Sequence, residues 1–175
     1  AIREIPSHWK AFELLEEMGP ASFQGVIRKS LVDSVRCEIP STYISAWDLN
    51  IKGVLTLNID GLASRAFHNS KNKSLRLYER SGFDIKTLVG TITENDTRFV
   101  ANLHGAAEEP SGWVFTERKL SALLNDSQYC EFVRDCIKYC TIVLLGISAQ
   151  DKAVIERCTQ SCPVHHTLHP DVEQV

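Results

Sequence analysis

Several features are scarce in this 175-residue sequence, and each scarcity closes off a class of protein. No apolar run approaches the roughly 18 residues that a membrane-spanning helix needs, and the opening AIREIPSHWK carries no apolar signal-peptide core. Neither charge dominates: 19 Lys and Arg against 22 Asp and Glu leave a net charge of −3. The short basic clusters RKS and KNKS therefore read as solvated surface, not as the basic patch of a nucleic-acid binder. Six cysteines are present, Cys37, Cys130, Cys136, Cys140, Cys158 and Cys162, but in no secretory setting. Three of them fall on one expected helix, so they read as reduced thiols of a cytosolic protein. Internal repeats, low-complexity tracts and an interdomain linker are also missing. One domain with a real core is the expectation.

Within that domain the apolar pattern alternates between two periods. WKAFELLEEM places Phe12, Leu15 and Met18 at helical spacing, a second helical stretch covers roughly 22–36, and STYISAWDLN reads as a short third helix. A buried strand follows at 53–58. The segment 76–105 reads as loop and then short β-rich pieces, with FVANLH the clearest strand. FTERKLSALLN is helical, and Asp126 is placed to cap the next helix. There Tyr129, Phe132, Val133, Cys136, Ile137 and Cys140 recur at i, i+3, i+4, i+7, i+8 and i+11. TIVLLGI reads as a fully buried strand, AQDKAVIERC as a helix and VHHTL as a last strand. Helices alternating with apolar strands predict an α/β fold built on a parallel sheet.

Three of these strands end in polar or glycine-containing groups. VLTLNIDGL runs from Val54, Leu55 and Leu57 into Asn58, Asp60 and Gly61; FVANLHG leaves His104 and Gly105; TIVLLGISAQD leaves Gly146, Ser148 and Asp151. Asn, Asp and Gly form turns readily, so one such ending is unremarkable. Parallel topology, however, gathers all three on one edge, and in open α/β sheets ligands bind beyond the carboxyl ends of the strands.

These residues carry a resemblance. Thr56-Leu57-Asn58-Ile59-Asp60 is similar to the sirtuin motif Thr-Gln-Asn-Ile-Asp, and Leu103-His104-Gly105 resembles the Leu-His-Gly that holds the sirtuin catalytic histidine. The closing Gly146-Ile147-Ser148-Ala149-Gln150-Asp151 resembles the Gly-Tyr-Ser-x-x-Asp of the sirtuin-like NAD hydrolases of bacterial antiphage defence. WVFTERKLSALL and VHHTL fit the same family, and IPSHWKAFELL resembles the helix start that follows its phosphate loop. The resemblance implies a Rossmann-like parallel sheet with helices on both faces. Its first strand and glycine-rich loop, whose amides hold a pyrophosphate, have no counterpart here. Residues 1–175 are thus expected to form a single sirtuin-like domain from a larger multidomain chain.

The resemblance also implies a reaction, cleavage of NAD to nicotinamide and ADP-ribose, with NAD as substrate. The leaving group departs as a neutral amine and needs no general acid, so a positioned nucleophile and a stabilised ribose cation suffice. His104, of a residue type whose unperturbed pKa is about 6.5, is the implied general base, and Asn58 the implied positioner of water and ribose. Thr56 and Asp60 join Asn58 as cofactor-binding candidates, with Asp60 equally able to cap the following helix. Gly146 and Ser148 would meet the adenosine side. Ser148 would also serve as an N-cap.

A zinc reading of Cys158-x3-Cys162 with His165, His166 and His169 suits tetrahedral chemistry. A strand at VHHT, however, turns His165 and His166 to opposite faces, and no metal is expected. The paired-cysteine zinc module of sirtuin deacylases is missing as well, since no cysteine lies between His104 and Cys130. The expected activity is therefore a cytoplasmic NAD hydrolase acting as an antiphage effector. It would assemble as a homo-oligomer or effector–sensor complex through regions outside this chain, with no direct nucleic-acid or membrane partner. The alternatives are a non-catalytic module binding NAD or an ADP-ribose derivative, and an NAD-dependent deacylase or ADP-ribosyltransferase.

Overall fold

The computed structural model describes residues 8–143 and residue 145. Its centre is a three-stranded parallel sheet of β1 (Gly53–Thr56), β2 (Arg76–Ser81) and β3 (Thr97–Asn102), ordered β1-β3-β2. The middle strand β3 is buried at every position. The alternation of a strand sends its side chains to opposite faces, and two separate apolar clusters result. Phe99, Ala101 and Leu103 join one; Val100 joins the other.

The first cluster is covered by α5 (Glu117–Asn125), α6 (Ser127–Tyr139) and a 3₁₀ segment at Gly82–Ile92. Both helices begin on a side-chain cap. Thr116 Oγ1 accepts from the Lys119 amide at 3.3 Å, and Asp126 Oδ1 from the Tyr129 amide at 2.8 Å; each such cap stabilises by about 1 kcal/mol. Tyr129, Phe132, Val133 and Cys136 of α6 are buried, with Ile137 and Cys140 packed half-buried beside them. The second cluster lies under α3 (Ser41–Asp48) and α4 (Leu62–His68), through Trp47, Ala63, Ala66 and Phe67. Trp47 donates its indole N–H to the Ala63 carbonyl at 2.8 Å, tying the two helices together. Helices on both faces of a parallel sheet make this a Rossmann-like α/β fold.

Two helices remain, α1 (His8–Met18) and α2 (Pro20–Arg36). Phe12 and Phe23 meet edge-on at 5.9 Å, and both contact Phe115 just before α5. Glu16 binds Lys119 at 2.8 Å and Arg118 at 3.5 Å. These contacts fasten α1 to Phe115 and to the first turn of α5. Along α1, Met18 is left exposed despite its helical spacing with Phe12.

The amino-terminal edge of the sheet is closed by cations. The Lys52 ammonium bonds the Thr97 carbonyl at 2.8 Å and its hydroxyl at 3.1 Å, and also reaches the Glu94 carbonyl. Burial, and then the neighbouring Arg98, pushes its pKa below the usual lysine value. Arg98 in turn donates to Asn50 Oδ1 at 2.6 Å. Asn50 itself holds a left-handed φ of 58°, a conformation that asparagine tolerates better than most residues.

Three expectations need correcting. Residues 76–81 form a strand, not a loop; as an edge strand β2 is partly exposed on both faces, which flattens its apolar alternation. Residues 82–92 are 3₁₀ helix despite their β-branched content. Ile85, Leu88 and Thr91 are buried at intervals of three, the period at which 3₁₀ side chains stack. Of the strand expected at 141–147, residues 141–143 and 145 have no regular structure, and Ile142, Val143 and Leu145 are exposed. An apolar run becomes strand only where a ladder partner receives it, and among the described residues none does. The remainder of that strand, the helix AQDKAVIERC and the VHHTL strand lie outside the described residues.

Candidate functional site

The register of the sheet determines which strand ends meet. Thr56 lies opposite Asn102, and Ser81 lies opposite Asn102 on its other side. The Leu103 amide then donates to the Thr56 carbonyl at 2.8 Å, so β1 and β3 remain joined to their last residues. Asn58 and His104 each follow the aligned pair Thr56–Asn102 by two positions. They leave adjacent parallel strands at the same carboxyl edge.

The chain turns after β1 by its own side chains. Thr56 Oγ1 accepts the Asn58 amide at 3.0 Å, and Asp60 Oδ1 accepts the amide of Leu62, the first residue of α4, at 3.0 Å. Gly61 between them has a left-handed φ of 67°. Thr56 and half-buried Asp60 therefore shape the turn and start the helix. Asn58 is exposed, and its amide nitrogen faces the Tyr43 hydroxyl of α3 at 3.5 Å. An amide engaged through its NH2 has its carbonyl oxygen left to accept a hydrogen bond from water or a hydroxyl.

His104 is buried, at 6% exposure. Its carbonyl accepts the Val114 amide at 3.0 Å, and the Gly105 amide bonds back to the Asn102 carbonyl at 3.2 Å. Gly105 has a φ of +100°, and a Cβ there would stand 2.6 Å from the Gly112 carbonyl oxygen. Trp113, itself buried, donates its indole N–H to the Ala106 carbonyl at 2.6 Å. The loop from 105 to 113 is thus closed tightly on itself, and that closure fixes the backbone carrying His104. The Trp9 ring of α1 stands against the imidazole, centroids 5.7 Å apart and planes at 77°.

Three residues of this neighbourhood carry no clear sequence signal. Trp9 and Tyr43 reach the strand ends from helices remote in sequence. Asn102 is buried to 2% and donates to Glu79 Oε1 at 2.8 Å, bridging β3 to β2; its one trace is an amide inside the otherwise apolar FVANL. Gly146 and Ser148, expected on the adenosine side, lie outside the described residues, as do Cys158, Cys162, His165, His166 and His169. Among the described residues no three His, Cys, Asp or Glu are grouped to hold a metal ion, and no helix is long and apolar enough to cross a membrane.

A cavity of about 210 Å³ opens beside the end of β2, lined by Ser81, Asp84, Glu109, Ser111 and Gly112 among others. It is smaller than the roughly 300 Å³ at which ligand pockets begin, and neither Asn58 nor His104 lines it. The aligned strand ends therefore define the candidate site better than this cavity does. What they offer chemically is an exposed amide, a buried imidazole and backbone turned outward at one edge. An amide of this kind can orient an oxygen, and an imidazole can take a proton.

The family model for the SIR2-like domain matches residues 52–162, well over half of the chain and the whole of the β1–β3 unit. No curated protein and no solved structure matches the chain.

Proposed function

As the chain belongs to the SIR2-like domain family, with its sirtuin-related role in binding or processing NAD, we propose that it hydrolyses NAD to nicotinamide and ADP-ribose. The observation that carries this reading is the register of β1 on β3. It delivers Asn58 and His104, the two residues matching the most specific sirtuin-like motifs, to one edge of one sheet. In the proposed reaction the bond between the ribose C1′ and the nicotinamide nitrogen breaks, and its electron pair neutralises the pyridinium. A water oxygen forms the new bond to C1′. Asn58 orients that water and the ribose, and His104 takes the proton the water gives up. Positioning accounts for much of such catalysis, and a well-placed base contributes about 10² to 10⁴ in rate.

Thr56 and Asp60 serve this step by shaping the loop that presents Asn58. Gly146 and Ser148 complete the proposed NAD site on the adenosine side. The resemblance of Gly146–Asp151 to antiphage NAD hydrolases supports a cytoplasmic defence effector working in a homo-oligomeric or effector–sensor assembly.

The test is an NAD-consumption assay on the purified full-length protein. Nicotinamide and ADP-ribose should appear without any acylated peptide. Release that requires an acyl-lysine peptide would make the protein a deacylase, and NAD binding without release would make it a sensor.

A further inference from the structure

Each of the two side chains assigned to NAD cleavage is touched by an aromatic residue from a helix ahead of the matched segment 52–162. Trp9 of α1 stands edge-on to His104 with ring centroids 5.7 Å apart, and Tyr43 of α3 meets the Asn58 amide at 3.5 Å. Neither helix is loosely attached. Phe12 and Glu16 hold α1 against Phe115 and Lys119, while Trp47, buried to 1%, locks α3 onto α4.

We propose that Trp9 and Tyr43 are positioning residues for NAD cleavage, Trp9 holding the His104 imidazole in place and Tyr43 orienting the Asn58 amide. The proposal rests on the hydrolase reading above. When His104 accepts the proton from water it becomes an imidazolium. An edge-to-face ring contact is directional, so Trp9 limits the orientations open to the imidazole that takes this proton. The ring also shields one side of the imidazole from solvent. Tyr43 acts earlier, by fixing which end of the Asn58 amide faces the nucleophile.

The charged groups on the surrounding elements are largely engaged elsewhere. Glu79 of β2 accepts from Asn102, Glu109 of the loop after β3 from Ser81, Asp60 from the Leu62 amide, and Glu16 of α1 pairs with Arg118 and Lys119 of α5. Lys10 of α1 and Glu108 of the loop are exposed to solvent. Glu13, half-buried and one turn along α1 from Trp9, is the carboxylate to control for.

The experiment compares full-length wild type with W9L, W9F, Y43F and E13Q, reading NAD turnover and, without NAD, the NMR signals of the His104 imidazole. W9L should lower kcat about tenfold, leave KM within about twofold, and broaden the imidazole signals as the ring gains orientations. W9F should restore most of both, because it keeps a ring in place. Y43F should lower kcat severalfold without altering those signals. E13Q should alter neither the rate nor the W9L effect.

Unchanged imidazole signals in W9L, or equal loss of kcat in W9L and W9F, overturns the role of Trp9. Unchanged kcat in Y43F overturns that of Tyr43. A wild type that leaves NAD intact refutes the hydrolase reading itself, whereas an active wild type with indifferent variants refutes only the positioning.

Discussion

Gly61, Gly82 and Gly105 all hold a positive φ, and substituting the first and the last by alanine separates two costs that usually arrive together. At Gly61, φ is +67° and an added Cβ would meet nothing within 4 Å. Gly61→Ala therefore carries only the conformational penalty of an L-residue there, roughly 1–2 kcal/mol. Against it stands a gain of about 0.4–1 kcal/mol from a less flexible unfolded chain. At Gly105, φ is +100°, and the Cβ would stand 2.6 Å from the Gly112 oxygen, 2.9 Å from its carbon and 3.1 Å from the Trp113 Cα. All three are backbone atoms, so no rotamer change relieves the overlap.

Strain of about 1–3 kcal/mol then adds to an overpacking cost of about 1–3 kcal/mol, and the net destabilisation should be about 2–4 kcal/mol. Urea unfolding with a common m-value reads both variants as midpoint shifts. Gly105→Ala should exceed Gly61→Ala by at least about 1 kcal/mol, taking the lower ends of these ranges. Folded Gly105→Ala should also lose turnover, since the loop that must give way begins at His104. Equal midpoints for the two variants would refute the close approach of Gly105 to Gly112, and with it the argument that this loop fixes the His104 backbone.

The other expectations are briefer. His104→Ala and Asn58→Ala should each lower NAD cleavage by about 10² to 10⁴, with thermal unfolding unchanged for the exposed Asn58 and lowered for the buried His104. Because both serve one step, the double variant should be scarcely worse than either single one in a steady-state assay. Cys136 is 1% exposed and its thiol is pushed up to about 12 from 9.0, by burial first and then by Cys140 and Asp135. The folded state thus keeps a proton that the unfolded state loses, so stability is full below pH 9 and falls as pH rises toward 12. Between pH 8 and 10.5 the loss from this group should reach about 2 kcal/mol, and a Cys136→Ala variant, less stable at pH 8, should show a flatter urea midpoint over the same range. Asp60→Asn keeps the oxygen that starts α4 and should unfold like wild type, whereas Asp60→Ala should cost about 1 kcal/mol. Turnover abolished in a fully stable Asp60→Asn would show that the charge itself acts on NAD.

What was legible in the sequence was whatever local periodicity and caps determine alone. Five of the six recurring apolar positions lie in α6, with Cys140 just past its end, and with the Asp126 cap they are a complete statement of a helix, while β3 reads as a strand from the apolar FVANL. Segments whose form depends on a distant neighbour were not legible. β2 sits at an edge and shows a blurred alternation. The 3₁₀ run from 82 to 92 has the composition of a strand, yet Ile85 and Leu88 pack into the cluster under α6. The same limit applies at the site. That Asn58 and His104 follow neighbouring strand ends could be read from the sequence, while the Trp9–His104 and Tyr43–Asn58 contacts exist only once helices and sheet are assembled.

Asn-Ile-Asp-Gly sets turn against site, and the structure removes the opposition by dividing the labour within the motif. Thr56 and Asp60 each give a side-chain oxygen to a backbone amide two residues on, and Gly61 supplies the left-handed step between strand and helix. Those groups make the turn. Asn58, whose side chain takes no part in these backbone bonds, is what the turn presents, at the edge where β3 presents His104. A turn built from fewer polar residues would reverse the chain as well, but would offer no amide beside the imidazole. The density of polar residues after β1 follows from having both tasks in one short stretch. The helices packed over that edge then supply the aromatic contacts that a strand end, exposed by its own geometry, has no means to provide.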